Sequence, residues 1–254
     1  MIRLALILVL AFCAAASAKP RVIASLSQNA VSITTDFSGS EIFVYGAVEH
    51  GRFPDETDDD IGVIVTVFGP SSPVTVRKKD RVFGIWANAE SAVIDSAPSF
   101  YALASTGPLE QILDEAENSR MNVSVDSNIH IAAGPRGIDD ADEYRAAIIR
   151  LNRDRGVYFD MIGEVELIGR TLFQTHIRLP SNLVEGNYAA RIFLVKQGEV
   201  IDDFQTAIRV RKVGLERWIY NLAHENSLIY GLLSILVALL AGWGASEAFR
   251  LMRR

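Results

Sequence analysis

An uncharged apolar segment, residues 226–246, lies close to the C-terminus and constrains this chain more than any other feature. A helix of about 20 such residues is as long as the ~30 Å hydrocarbon core of a bilayer, and it satisfies its own backbone polar groups there. A core helix of a soluble protein normally keeps a polar face, which this segment lacks. The segment therefore predicts one transmembrane helix, with the residues before it forming the working part of the protein.

The N-terminus predicts an export signal. One positive charge and a short apolar stretch precede Ala16-Ser17-Ala18, which has the small-residue pattern of a cleavage site. We expect residues 1–18 to be a signal peptide and the mature chain to begin at Lys19. Lipidation of Cys13 is the alternative, but bulky Phe12 stands where a small residue is preferred. Cys13 is the one cysteine of the sequence, so a chain cleaved after residue 18 would have no disulfide and no thiolate site.

The two ends of the apolar segment predict its orientation. Arg250, Arg253 and Arg254 follow the segment, and the positive-inside rule places such residues in the cytoplasm. We expect the flanking aromatic side chains to lie in the membrane–water interfaces: Trp218, Tyr220, Tyr230 and Trp243. With the signal peptide, this predicts a single-pass inner (plasma) membrane protein, its N-terminal domain in the periplasm and a short tail, residues 247–254, in the cytoplasm. A eukaryotic lumen stays open as an alternative to the periplasm.

The predicted exported part is acidic. With Arg3, Arg250, Arg253, Arg254 and Glu247 set apart, 21 basic and 30 acidic residues remain, a net charge of −9. Such a domain is repelled on average by nucleic acid and by anionic lipid surfaces, so we expect no nucleic-acid partner. The bilayer itself is expected as a partner through the transmembrane helix.

Two charge clusters stand out locally. Residues 77–81, Arg-Lys-Lys-Asp-Arg, could oppose the acidic average, but the pattern is typical of a solvated edge strand or hairpin. Residues 55–60, Asp-Glu-Thr-Asp-Asp-Asp, supply only half of a calcium loop with Gly62, and we expect a solvated acidic loop.

The N-terminal half reads as short β-strands separated by turn residues. The runs are residues 22–24, 30–33, 41–45, 61–68, 74–76, 84–86, 92–94 and 100–103. Seven or eight strands at this spacing predict an antiparallel sandwich of immunoglobulin-like type, so the fold class is mainly β. Trp86 has small and apolar neighbours, which favours a tryptophan in the core.

Helical patterns then interrupt the strands. Residues 108–116 begin with proline and place Leu109, Ile112, Leu113 and Ala116 on one face. A second helix, residues 141–153, is expected to turn Tyr144, Ile148 and Leu151 inward and to end at Gly156. Strands are predicted again over residues 163–168, 172–179, 188–196 and 199–210, with Gln197-Gly198 as a hairpin turn.

These patterns give a division of the chain. It comprises a signal peptide (1–18), a β-sandwich domain (19–106), a helical insert (107–155), a second sandwich part or domain (156–213), an amphipathic juxtamembrane helix (214–225), the transmembrane helix (226–246) and the tail (247–254). One large sandwich crossed by helices is the alternative to two sandwiches, and we favour two.

The sequence contains no catalytic motif with the required spacing. His50, His130, His176 and His224 are far apart, without the H-E-x-x-H pattern of zinc sites. No nucleophile elbow and no phosphate-binding glycine loop occurs. We therefore expect neither an enzyme nor a cofactor. A periplasmic hydrolase or metal-handling enzyme with a site built from distant residues is the alternative.

Several phrases of the sequence resemble a known family. They are Gly84-Ile85-Trp86-Ala87-Asn88, residues 98–106, Gly214-Leu215-Glu216-Arg217-Trp218, the connection from Leu179-Pro180 to Gly186-Asn187-Tyr188, Leu228-Ile229-Tyr230-Gly231 and Gly242-Trp243. Together they resemble a family of transmembrane proteins of alphaproteobacteria of about this length, without an established activity. The resemblance implies an inner-membrane protein that faces the periplasm, with a permease as a partner to consider.

The transmembrane segment carries closely spaced small residues. Ala238, Ala241, Gly242 and Ala245 recur three and four positions apart, a spacing that lets helices approach closely. We therefore expect the span to be a docking element as well as an anchor. The leading hypothesis is a membrane-anchored binding or accessory module that acts with another inner-membrane protein, and a homodimer is the alternative assembly.

Overall fold

The structure of this chain is a computed structural model, and it describes residues 20–49, 61–131, 141–169, 171–214, 219 and 222–252. The predictions for the signal peptide, for residues 55–60, for His50 and for Trp218 and Tyr220 lie outside the described residues. Two compact units are present. One comprises the described residues of Met1–Val31 and Ser38–Val210, and the other those of Ser32–Phe37 and Arg211–Arg254.

Strands make up most of the first unit. They are β1 (Arg21–Leu26), β2 (Ala30–Ile33), β3 (Ser40–Glu49), β4 (Ile61–Phe68), β5 (Ser71–Val82), β6 (Ile85–Pro98), β7 (Tyr101–Ser105), β8 (Tyr158–Ile162), β9 (Glu166–Ile168), β10 (Leu172–Leu179), β11 (Gly186–Lys196) and β12 (Glu199–Lys212). The helices are α1 (Leu109–Ile112), α2 (Glu115–Met121), α3 (Ala141–Asp154) and α4 (Ser227–Met252), with a 3-10 turn at Asp126–Asn128. The predicted fold class, mainly β with a C-terminal apolar helix, is confirmed.

Three sheets are formed. Sheet A has the order β1-β3-β10-β9, and sheet B has the order β2-β12-β11-β4-β7-β8. Strands β5 and β6 form a separate two-stranded hairpin. Paired strands are antiparallel except β7 and β8, which run parallel because α1, α2 and α3 lie between them in sequence and form a long crossover.

Alternation of side chains makes sheets A and B a sandwich. In β10, every second residue from Phe173 to Leu179 is buried while the residues between them are exposed. Strand β4 is buried at all eight positions, so sheet B is covered on both faces at its centre. One face meets sheet A, since β1 contacts β11 and β10 contacts β7.

The other face of sheet B is covered by a second apolar layer. Ile64, Leu103 and Phe193 lie on this face and share a core cluster with Ile94 of the hairpin and Ile148 of α3. The helices and the base of the hairpin therefore complete a three-layered unit, and the rest of the hairpin extends beyond that core.

Tyr101 lies at the centre of this second layer. Its side chain is 1% exposed, and its hydroxyl donates a hydrogen bond of 3.1 Å to the carbonyl oxygen of Val123. Its ring centroid is 5.2 Å from that of Phe68 and 5.9 Å from that of Tyr158. Burial raises the pKa of Tyr101 well above its ordinary value and raises the pKa of Tyr158 to about 12.

Both sheets mix strands from the two predicted sandwich segments. In sheet A, β3 pairs with β10, and in sheet B, β4 pairs with β11. The chain before residue 107 and the chain after residue 155 therefore build one sandwich, which corrects our preference for two. Neither segment alone has enough strands to complete sheet A and sheet B, so each sheet takes strands from both segments.

Two helical predictions need correction. The helix predicted for residues 108–116 is broken, because Leu113 is extended and the Asp114 N–H donates a 3.0 Å hydrogen bond to the Gly198 carbonyl. Ala116 is consequently exposed on α2. On α3, Leu151 is also exposed at 40%, and Ile149 is buried in its place.

The prediction for Trp86 is wrong. Its side chain is 68% exposed on the hairpin, beyond the point where the core ends. By contrast, the Gln197-Gly198 turn is confirmed: both residues have positive φ, +53° and +84°, as a two-residue hairpin turn of type I′ requires.

The second unit contains the apolar helix. Residues 222–225 are helical, and N–H groups of Asn226 and Tyr230 bond back to the carbonyls of Leu222 and Asn226. The helical hydrogen bonds thus continue from the juxtamembrane residues into α4. Ser227–Ser246 is long and apolar enough to cross a membrane, and α4 runs six residues further to Met252.

Candidate interaction surfaces

An apolar row crosses the outer face of sheet A. Ile23, Ala47, Leu172 and Ile168 are direct neighbours on the four strands, in the order β1, β3, β10, β9. Their side chains point away from the core, because the residues on either side of them in each strand point inward. The exposed fractions are 57% for Ile23, 52% for Leu172 and 46% for Ile168.

Aromatic side chains extend the row along β3. Tyr45 is 49% exposed in the next register position. Phe43 beyond it contacts the His176 ring, with ring centroids 4.1 Å apart and an interplanar angle of 57°. A cavity of about 410 Å³ lies over Ile23, Tyr45 and Leu172. We call these residues together, Ile23, Phe43, Tyr45, Ala47, Ile168 and Leu172, the sheet A patch.

The backbone under the patch depends on a glycine. A Cβ at Gly46 would lie 2.4 Å from the Ile23 carbonyl oxygen and 2.5 Å from the Phe173 ring. No other residue fits there without a shift of backbone, so Gly46 allows β1 to approach β3 closely beside Tyr45.

The β5–β6 hairpin has an apolar tip. Val82 pairs with Ile85, leaving a two-residue loop of Phe83 and Gly84. Phe83 is fully exposed, at 101%, and has a φ of +51°. Ile85 and Trp86 follow at 73% and 68% exposed, so four large apolar side chains surround the end of the hairpin.

Basic residues lie directly behind the tip. Arg81 pairs with Trp86 and Lys79 with Asn88, and both cations are exposed. Lys78, one residue further back, binds Glu143 of α3 at 2.6 Å, and this hydrogen bond raises the pKa of Lys78. The prediction of a charge run on a solvated hairpin is therefore confirmed, and Lys78 marks where the hairpin leaves the body of the unit.

The residues predicted to matter in the span are exposed along α4. Ala238, Ala241, Gly242 and Ala245 share one side of a continuous helix. Among the described residues outside the helix, none has an atom within 4 Å of a Cβ placed at Gly242. Their role as a packing face stays a prediction. Tyr230 and Trp243 lie one turn inside the two ends of Ser227–Ser246, and their place in the membrane–water interfaces stays a prediction.

His130 and His176, the two described histidines of the first unit, lie on different elements. The backbone of His130 bridges to Ser96 beside the hairpin, and Nδ1 of His176 lies 3.9 Å from Glu41 on sheet A. Within the described ranges, no group of three or more histidine, cysteine, aspartate or glutamate side chains could hold a metal ion. His176, Glu41, Glu164 and Arg178 line one cavity of about 470 Å³.

Neither apolar surface was predicted from the sequence, although each has a signal in it. In β10 the exposed positions are Leu172, Gln174, His176 and Arg178, so leucine is out of place among polar residues. On the hairpin, Phe83 stands where a two-residue turn favours asparagine or glycine.

These features define a β-sandwich protein with one C-terminal helix that can span a membrane. The chain belongs to the family described as "Putative transmembrane protein (Alph_Pro_TM)", which matches residues 21–251. Among curated proteins, none matches this chain. The solved structures it is similar to include Spo0M, a sporulation control protein from Bacillus subtilis, at 13% identity and a TM-score of 0.27. That similarity covers 83% of this chain and 56% of the Spo0M chain, so this chain spans about half the length of that protein.

Proposed function

We propose that this protein is a membrane-anchored accessory module whose sandwich binds a second integral membrane protein. Helix α4 holds the chain in the inner membrane, the sandwich lies in the periplasm, and the C-terminus lies in the cytoplasm. The sheet A patch supplies the contact with the partner, and the small-residue side of α4 supports that contact inside the bilayer.

The apolar row across sheet A carries this proposal. Single exposed apolar residues are normal on protein surfaces, but contiguous apolar patches on soluble domains mark interaction sites. Here the residues are in register across all four strands, so they form a continuous strip rather than scattered positions. Aromatic residues at its edge, Tyr45 and Phe43, are of the kind enriched at protein interfaces.

A photo-crosslinking experiment tests the binding surface. A photoreactive phenylalanine analogue at position 172 of the full chain, expressed in its native membranes, should crosslink to one integral membrane protein. In a second set of chains the analogue is placed at position 45. Replacing both Ile23 and Leu172 by threonine in these chains should lower the crosslink yield at least tenfold, because threonine is compatible with a strand but removes apolar contact. Crosslink yields are measured by immunoblotting and mass spectrometry.

Matched variants locate the effect. Val93 is 55% exposed on a strand outside the patch, and its replacement by threonine should leave the yield unchanged. Replacing Gly242 by leucine adds bulk on the span and should weaken the complex while insertion persists, because leucine is favourable in a bilayer. Crosslinks only to a second copy of this chain, or none from position 172, would refute the proposal.

Fusions to alkaline phosphatase test the proposed orientation. The enzyme is active only after export, so we expect high activity for a fusion after Val213 and little for a fusion after Arg254. The reason is the cluster of arginines after α4, which favours retention in the cytoplasm. Equal expression is checked by immunoblotting. The reverse activities would place the sandwich in the cytoplasm.

A further inference from the structure

We propose that the tip of the β5–β6 hairpin inserts into the surface of an anionic lipid bilayer. The tip consists of Val82, Phe83, Gly84, Ile85 and Trp86, and we call it the hairpin tip. This is a lipid contact separate from α4 and from the sheet A patch, and it does not depend on the proposed partner.

Exposure of the hairpin tip is the first observation. The core that covers the hairpin ends at Val76 and Ala92, which are buried, and residues 79–89 are exposed on both faces. A two-stranded hairpin without a covering layer is only marginally stable in water. Placing its largest apolar side chains at its far end therefore gives no internal packing.

The conformation of Phe83 is the second observation. A bulky side chain with φ of +51° is rare, since asparagine and glycine are the residues that tolerate this region. The phenylalanine is strained and fully exposed, so the isolated protein gains nothing from it. An environment outside the protein that accepts an aromatic ring accounts for its presence.

The spacing of charge along the hairpin identifies that environment as lipid. An interfacial element buries its apolar part about 5–10 Å below the headgroups, with basic residues at the headgroup level. At ~3.3 Å per residue, Arg81 lies roughly 7 Å and Lys79 roughly 13 Å behind the turn. The cations therefore reach phosphates when the ring of Phe83 reaches the acyl boundary. Trp86, which pairs with Arg81, then lies in the membrane–water interface, the position that tryptophan prefers.

Local charge overrides the acidic average here. Residues 77–86 contain four basic side chains and one acidic side chain, in a protein whose net charge is −6. Lys78 is neutralised by Glu143, but Arg81 and Lys79 lie further out. At physiological salt, exposed charges more than about 8–10 Å apart are largely screened from one another. The electrostatic potential at the hairpin is therefore set by its own basic residues and not by the net charge of the rest of the protein. An acidic protein surface would satisfy the cations but would leave the strained Phe83 without an apolar partner.

Depth-dependent quenching of Trp86 tests the proposal. The full chain, with Trp218 and Trp243 changed to phenylalanine, leaves Trp86 as its one tryptophan and is placed in nanodiscs of phosphatidylglycerol and phosphatidylcholine. Phosphatidylglycerol-containing vesicles are then added, with brominated acyl chains in either the nanodisc or the vesicles. Quenching by nanodisc bromine means contact with the protein's own bilayer, and quenching by vesicle bromine means contact with a second one. We expect bromine in one of the two bilayers to reduce the fluorescence of Trp86 at least twofold, and the emission of Trp86 to be blue-shifted.

Two sets of variants separate the tip from the basic stem. Phe83→Asn suits the turn and so preserves or improves folding, and it should abolish the quenching. Lys79→Glu and Arg81→Glu should each lower the apparent lipid affinity about fivefold. Replacing the anionic lipid by phosphatidylcholine alone should lower the affinity of the unaltered chain by about the same factor. Arg150→Glu on α3 and Val184→Ser, two exposed positions elsewhere, should change neither.

Three results would overturn the proposal. The first is the absence of bromine quenching in all compositions while aqueous acrylamide quenches Trp86 freely. The second is quenching that persists unchanged in Phe83→Asn. The third is shielding of Trp86 by a co-purified protein in place of lipid, which would make the hairpin a protein-binding element.

Discussion

Replacing Tyr101 by alanine is expected to lower the free energy of unfolding by about 3–5 kcal/mol, enough to unfold a large fraction of the protein. The variant loses two aromatic contacts, with Phe68 and Tyr158, and leaves a cavity between sheet B and the covering helices. It also leaves the Val123 carbonyl oxygen without the hydroxyl that binds it. Urea unfolding of the full chain in mild detergent, followed by far-ultraviolet circular dichroism, measures the change.

Tyr101→Phe is the matched control. It keeps the ring and removes only the hydroxyl, so we expect a loss of about 1–3 kcal/mol from the unsatisfied carbonyl. The difference in unfolding free energy between the alanine and phenylalanine variants then measures the contribution of ring packing without that of the hydrogen bond. An alanine variant no less stable than the phenylalanine variant would show that the second apolar layer does not stabilise the sandwich.

Raising the pH above 10 is expected to destabilise the folded state steeply. In the unfolded chain tyrosine has a pKa near 10, whereas burial raises the pKa of Tyr158 to about 12 and that of Tyr101 well above its ordinary value. Below pH 10 both states keep these protons, so stability is complete. Between pH 10 and the folded pKa values the unfolded chain releases protons that the folded chain retains. The free energy of unfolding therefore falls, by at most about 1.4 kcal/mol per pH unit for each tyrosine.

Unfolding in urea at steps of pH between about 9 and 12 measures this slope. Below pH 10 we expect Tyr158→Phe to be less stable than the unaltered chain, because the Tyr158 hydroxyl donates a hydrogen bond of 2.7 Å to the Pro98 carbonyl. Its slope, however, should be shallower by about one proton. A slope identical to that of the unaltered chain would mean that Tyr158 titrates normally in the folded state.

Local patterns predicted those parts of the fold that depend on neighbours in sequence. Strand β4 coincides with the predicted residues 61–68, and β10 with residues 172–179. The turn at Gln197-Gly198 and the helix of residues 227–246 follow from turn chemistry and from apolar length. Each of these elements is specified by residues within one window of the chain.

Distant contacts determine what was not predicted. Leu113 leaves its helix because Gly198, far along the chain, binds the residue after it. Trp86 is exposed because the core that covers the hairpin ends at Val76, a limit set by α3 and not by the residues around Trp86. The sheet A patch exists only when Ile23, Leu172 and Ile168 come into register, so no single strand reveals it.

The interleaving of the two sheets has a consequence for biosynthesis. Strand β3 pairs with β10, roughly 130 residues later in the chain, and β4 pairs with β11 at a similar separation. Because these pairings are so distant in sequence, the entropy cost of loop closure dominates the folding barrier. While the chain emerges from its N-terminus, β1, β3 and β4 have no completed sheet to join. The β1–β3 and β5–β6 pairs are available early, but sheets A and B are completed only after β10, β11 and β12 have been synthesised, so folding is expected to be slow. Until then its unpaired strands and uncovered apolar faces make the chain a substrate for holding chaperones and for proteases.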